Sequence, residues 1–172
     1  ARAFWLDVDA GEGKPYSDSF DAVEAVAAFA TTYGLPVPMY VGSGNGIHPY
    51  WPLEETLEPR EWQRYSNGLK RLCSEAGLQA DASRTCDLAS VLRTPGTHHR
   101  KSLTPKLVQV GDLTGPYDLS LFDIFLEGEE DATQNLGLAL RVPSARAPSG
   151  HGSLREAAGR SAHVDRAGCG RQ

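Results

Sequence analysis

The stretch VGSGNGIHPYW at residues 41–51 decides how this chain is organised. Gly42, Gly44 and Gly46, with Ser43 and Asn45, separate two apolar, β-rich runs. An Asn-Gly pair between such runs is a strong short-range signal for a β-hairpin. The spacing predicts a strand near 38–42, a turn at 43–46 and a second strand near 46–53. Pro49 and Pro52 lack the amide that a ladder uses, so the second strand is expected at a sheet edge or at a bulge. His48 follows the turn directly. The turn either only reverses the chain, or it also presents backbone amides and an imidazole to an anion.

Outward from the hairpin, AFWLDVD at residues 3–9 reads as a buried strand ending in acids. A fold rarely opens on such a strand, so a segment ahead of it is expected to be missing. Residues 10–18 read as a loop. A helix is expected from an N-cap at Ser19 to Tyr33, with Phe20, Val23, Val26, Phe29 or Ala30, and Tyr33 at helical spacing, ended by Gly34 and Pro36. A second helix begins at Pro59 and ends before Gly77, with Trp62, Tyr65, Leu69, Leu72 and Cys73 on its apolar face. Residues 84–97 carry mixed signals, and DLASVLR within them suits a short helix or a strand. KLVQVG at 106–111 reads as a strand, and DLSLFDIFLEG at 118–128 as a short helix capped by Asp118. From Pro143 onward Ala, Gly, Ser, Arg and Pro dominate without apolar periodicity, which reads as linker or disorder. The expected architecture is α+β, a small mixed or antiparallel sheet flanked by helices, with a core domain over 1–142 and a tail over 143–172.

The chain has 172 residues, 40% of them hydrophobic, enough for one domain with a core. It contains no apolar run of membrane-spanning length and is expected to be soluble and cytoplasmic. Cys73, Cys86 and Cys169 make neither a disulfide framework nor a CxxC pair, as suits a reducing compartment. Net charge is −5, which argues weakly against a nucleic-acid partner. The distribution says more than the total. Residues 84–106 hold Arg84, Arg93, Arg100, Lys101 and Lys106 against Asp87 alone. Phosphate binding is a local matter, and this basic stripe is where it would occur.

Asp7 and Asp9 lie two apart on a strand, so both point to one face while Leu6 and Val8 point to the other. Paired carboxylates repel unless a cation joins them, and hard oxygens suit Mg²⁺, Mn²⁺ or Ca²⁺. The plain alternative is a solvated strand end. The glycine turn is able to form an anion-binding nest, with His48 and Tyr50 sharing the next strand's face. Asp87 is the favoured third carboxylate because it directly precedes an apolar run, with Asp81 its rival. Arg93 and Lys101 flank a Pro-Gly-Thr turn and offer a planar fork and a point charge for phosphate. His98 and His99 are adjacent on an extended chain and point apart, so they do not share an ion. His151, His163 and Cys169 lack zinc-site spacing.

The ordered set is an apolar strand with Asp7-Val8-Asp9, then Ser43-Gly44-Asn45-Gly46-Ile47-His48, then Asp87 followed by Leu92-Arg93-Thr94-Pro95-Gly96-Thr97 and Lys101. This set resembles the archaeo-eukaryotic primase (AEP) superfamily, most closely the primase-polymerase domains of phage and plasmid replication proteins. The resemblance covers residues 3–125. It implies an RRM-like core and a nucleotidyltransferase that polymerises NTPs or dNTPs on a single-stranded DNA template with Mg²⁺ or Mn²⁺. It implies Asp7, Asp9 and Asp87 as metal-binding, catalytic carboxylates. Ser43, Gly44, Gly46 and His48 would hold the nucleotide's triphosphate, and Arg93 and Lys101 would bind phosphate or template. It further implies a fused or separate helicase, no membrane, and the cytoplasm of a bacterial or phage-infected cell. Three departures stand out: no segment precedes the acid-bearing strand, His98-His99 stands where Asn commonly follows the Pro-Gly-Thr turn, and the tail after about residue 142 matches nothing in the pattern. Two other readings use the same residues. One is a two-metal nuclease, and the other is a non-catalytic single-strand or origin-binding module.

Overall fold

The computed structural model describes residues 1–101 and 103–128. The tail expected over 143–172, the end of the core domain, and His151, His163 and Cys169 lie outside the described residues. The acid-bearing strand forms as two short pieces, β1 (Ala3–Trp5) and β2 (Val8–Asp9). Helix α1 (Ser19–Thr32) follows, then the hairpin strands β3 (Met39–Gly42) and β4 (Gly46–Pro52). After helix α2 (Pro59–Glu75) come the single turn α3 (Ala82–Thr85), β5 (His98–His99), β6 (Lys106–Leu107) and β7 (Gln109–Val110). A 3-10 helix, Leu119–Phe125, closes the described chain. No described helix is long and apolar enough to cross a membrane.

The sheet is antiparallel throughout its paired strands. β1 and β2 both pair with β4, β4 with β3, and β3 with β7. This corrects the edge placement of the second hairpin strand, because β4 is central. Pro49 is tolerated there because a strand residue's amide serves only one neighbour. The Pro49 carbonyl accepts from the Leu6 amide at 3.1 Å, so its missing donor falls on that same side. The ladder lapses at Leu6 and Asp7, which splits β1 from β2.

Alternation sorts the faces. Phe4, Leu6 and Val8, with Ile47, Trp51 and Leu53 across from them, are buried against the helices. From α1 come Ala22, Val26, Phe29 and Ala30, and from α2 Trp62, Tyr65, Leu69 and Leu72. Phe122 and Phe125 of the 3-10 helix pack edge-on against Phe4, with centroids 5.3 and 5.4 Å away. Two expectations for α1 are corrected. Its N-cap is Asp18, whose Oδ1 accepts from the amides of Phe20 at 2.7 Å and Asp21 at 3.0 Å. Phe20 is 67% exposed, because it lies off the helix face that buries Ala22, Val26, Phe29 and Ala30. Asp118 caps the last helix as expected, accepting from the Ser120 amide at 2.8 Å.

The 106–111 run does not form one strand. β6 pairs with β5, β7 pairs with β3, and buried Val108 lies between them, its amide donating to Thr97. DLASVLR is neither helix nor strand. It contains a turn in which Asp87 accepts from the Ala89 amide.

Candidate functional site

On the sheet face away from the core, the register that pairs Trp5 with Tyr50 and Val8 with Ile47 sets Asp7 opposite His48. His48 is buried and its Nε2 lies 3.4 Å from Asp7 Oδ1. The contact is close enough for charge attraction but is not aligned as a hydrogen bond. Neither ring nitrogen of His48 has a hydrogen-bond partner. Buried polar groups ordinarily find partners, so an imidazole left free beside a carboxylate is a group held ready for something. Asp9, two residues on, is half exposed and receives Lys14 Nζ at 2.6 Å on its Oδ2.

Asp81 joins these acids through the backbone. Its amide donates to the Asp7 carbonyl at 2.8 Å, fixing the chain leaving α2 against the acid-bearing strand. Its Oδ1 accepts from Ser83 Oγ at 2.6 Å and from the Ser83 amide at 2.9 Å. These bonds, the Ser83 hydroxyl foremost, hold its carboxyl below the usual carboxylate range. Asp7, Asp9 and Asp81 line a cavity of about 400 Å³ with His48. Arg84, Arg93 and Lys101 line the same cavity, and Val91 and Leu92 complete its wall. A second cavity of about 270 Å³ shares the three carboxylates and adds Lys14.

The sequence-predicted residues divide accordingly. Asp7, Asp9, His48, Arg93 and Lys101 come together. Asp87 does not line the cavity; it is exposed and its carboxylate is spent on its own turn, so the rival Asp81 stands beside the pair. Ser43, Gly44 and Gly46 do not line the cavity either. Their glycines answer to packing. A Cβ on Gly44 (φ +96°) would meet His99 Cβ at 2.9 Å, and one on Gly46 (φ +145°) would overlap the Val8 carbonyl. The Ser43 amide closes the turn on Gly46 O at 2.9 Å, rather than standing free as a nest donor. Lys106 Nζ donates to Asn45 Oδ1 at 2.7 Å, which seats the β5–β6 hairpin on the turn. Lys14 was not singled out by sequence, and Arg84 was named only as a member of the basic stripe. The signal for Lys14 was Gly11 and Gly13 around it, both at positive φ, which curl the loop back onto Asp9.

Charge is divided across the site. The Tyr50 hydroxyl is pushed up to about 12, first by burial and then by the Asp7 charge. On the basic side, burial and then the charges of Arg93, Lys101 and Lys106 hold His99 below its ordinary value. Hard carboxylate oxygens on one strand face suit a hard divalent cation. Among the described residues no three His, Cys, Asp or Glu side chains are grouped closely enough to enclose an ion. Mg²⁺ does not need such a cage, since it is ordinarily held by one or two carboxylates with water and substrate phosphates. The Lys14 ammonium already drawn to Asp9 shows that this face collects positive charge. The donor set therefore fits an ion of that class.

No family model matches this sequence, and no curated protein matches it. Among solved structures, the fold is similar to the AEP domain of the primase-polymerase of cyanophage S-2L, with a TM-score of 0.54 at 22% sequence identity. The likeness covers 73% of this chain and 60% of that one, and it is a likeness of fold. The resemblance read from the ordered motifs is thus met by an antiparallel sheet and helices arranged as in an AEP domain.

Proposed function

We propose that this chain, folded like a primase-polymerase domain, is a template-directed nucleotidyltransferase that extends or makes primers from NTPs or dNTPs on single-stranded DNA. The observation that carries the reading is one cavity lined by three carboxylates together with His48, Arg84, Arg93 and Lys101. Nucleotidyl transfer needs both halves: acids to hold a cation, and cations to hold a triphosphate. Asp7 and Asp9 would hold Mg²⁺ or Mn²⁺, with Asp81 the adjoining carboxylate. A divalent cation, when bound, supplies activation of a 3′-hydroxyl and neutralisation of the departing pyrophosphate. Arg93 would grip phosphate oxygens with a planar fork, and Lys101 as a point charge. His48 has an unpartnered imidazole, 3.4 Å from Asp7, that would donate to a phosphate oxygen. The setting we infer is phage or plasmid replication inside a cell, with a fused or separate helicase supplying single strands.

The test is a primer-synthesis and primer-extension assay with labelled nucleotides, a single-stranded template and Mn²⁺ or Mg²⁺. The Asp7→Asn/Asp9→Asn variant is run beside the unaltered chain. Metal-dependent product from the unaltered chain, and loss of at least two orders of magnitude in the variant with its circular dichroism unchanged, is the expected result. Template degradation in place of synthesis would make the protein a nuclease. Metal-independent DNA binding by both proteins, with no product, would make it a binding module.

A further inference from the structure

Lys14 sits on a loop whose backbone is pinned. The Gly11 amide donates to Tyr16 O at 2.9 Å, the Lys14 amide to Gly11 O at 3.0 Å, and the Tyr16 hydroxyl accepts from the Gln79 amide at 3.0 Å. Only the side chain has freedom, and it is 45% exposed. Its ammonium contacts Asp9 Oδ2 at 2.6 Å, on the same oxygens a divalent ion would need. A compact ammonium on a flexible stem is the protein's nearest imitation of a small cation.

We propose that Lys14 is a tethered counter-cation of the Asp7–Asp9 pair, which an incoming divalent ion must displace from Asp9, so that this one side chain sets the ion affinity of the site. The inference rests on the reading of Asp7 and Asp9 as the ion-holding pair. Exposed ion pairs are weak, so the ammonium leaves readily, but it competes directly for one ligand. The Asp9 charge is thereby offset until an ion arrives.

The test is calorimetric titration of Mn²⁺ into the whole chain and into Lys14→Met, Lys14→Arg and Arg84→Gln. Arg84 lines the neighbouring cavity, and its Nε lies 4.0 Å from Asp81, off Asp9. Arg84→Gln therefore measures the effect of removing a nearby charge without opening the contact. Lys14→Met is expected to bind Mn²⁺ about fivefold more tightly. Lys14→Arg should bind like the unaltered chain, and Arg84→Gln should gain less than Lys14→Met. Measurable binding that is equal in all four, or a gain no larger than that of Arg84→Gln, overturns the proposal and leaves the acid pair as an ion site. No Mn²⁺ binding by any of them overturns both together. Lys14 is on an exposed loop, and matching thermal melts confirm that the variants fold alike.

Discussion

The Tyr50 hydroxyl gives the acid pair a reporter of its own. Its folded value near 12 lies above the ordinary tyrosine value of about 10. The fold disfavours the tyrosinate, so this group's stabilising contribution is complete below about pH 10 and is lost as pH rises toward 12. Titrated by ultraviolet absorbance, Tyr50→Phe should remove one late-ionising tyrosine. Asp7→Asn should move that step to lower pH while leaving it above the ordinary value, because burial is the larger cause. An unmoved step would mean that Asp7 does not act on Tyr50. Asp7, Asp9 and His48 were legible in the sequence because strand alternation alone fixes where such side chains point. The choice between Asp81 and Asp87 was not legible. It depends on the Asp81 amide reaching the Asp7 carbonyl from a distant part of the chain, a tertiary bond that no local pattern encodes.

Among the elements, α2 and the closing 3-10 helix meet at a glycine. A Cβ on Gly68 would run into the carbonyl of Phe125, so the two backbones touch only because position 68 has no side chain. Gly68→Ala is expected to lower unfolding stability by about 1–3 kcal/mol, even though alanine favours the helix by about 1 kcal/mol. Urea denaturation measures it, and a stabilised variant would show that the two helices do not make this contact. The helices themselves were readable, since Trp62, Tyr65, Leu69 and Leu72 recur at a helical period and are buried as that period requires. The sheet was read less well. Proline in a strand signals a missing donor, but which side lacks it follows from the register, and here the gap faces Leu6 rather than solvent. The short β5 and β6 are seated on the hairpin turn through Gly44 and the Lys106–Asn45 bond; β6 fell within a run that reads as a strand, whereas β5 carries little strand signal of its own.

For the molecule as a whole, the acidic total and the basic stripe are reconciled by location. The chain carries −5 overall, yet Arg84, Arg93 and Lys101 converge on the one cavity that the carboxylates also line. Should the protein bind single-stranded DNA through that cavity, affinity will fall with salt. Each phosphate contact removed should reduce the log–log slope by about 0.7. Arg93→Ala with Lys101→Ala should therefore flatten a fluorescence-anisotropy salt series by roughly 1.4. An unchanged slope would put the nucleic acid elsewhere on the surface. The basic stripe was visible in the sequence as a composition bias, but its division was not: Lys106 is turned to Asn45, while Arg84 joins the cavity through the short turn that Asp81 caps.

The Trp5 and Trp62 rings stack with centroids 4.8 Å apart, and the Trp5 indole N–H donates to the Arg84 carbonyl at 3.0 Å. Two indoles this close couple their electronic transitions, and one of them is tethered to the segment that brings Arg84 to the cavity. The protein thus has a built-in optical gauge. A ligand that shifts the Arg84 backbone is expected to loosen or tighten that tether, and the tryptophan emission and exciton circular dichroism would register it without any label.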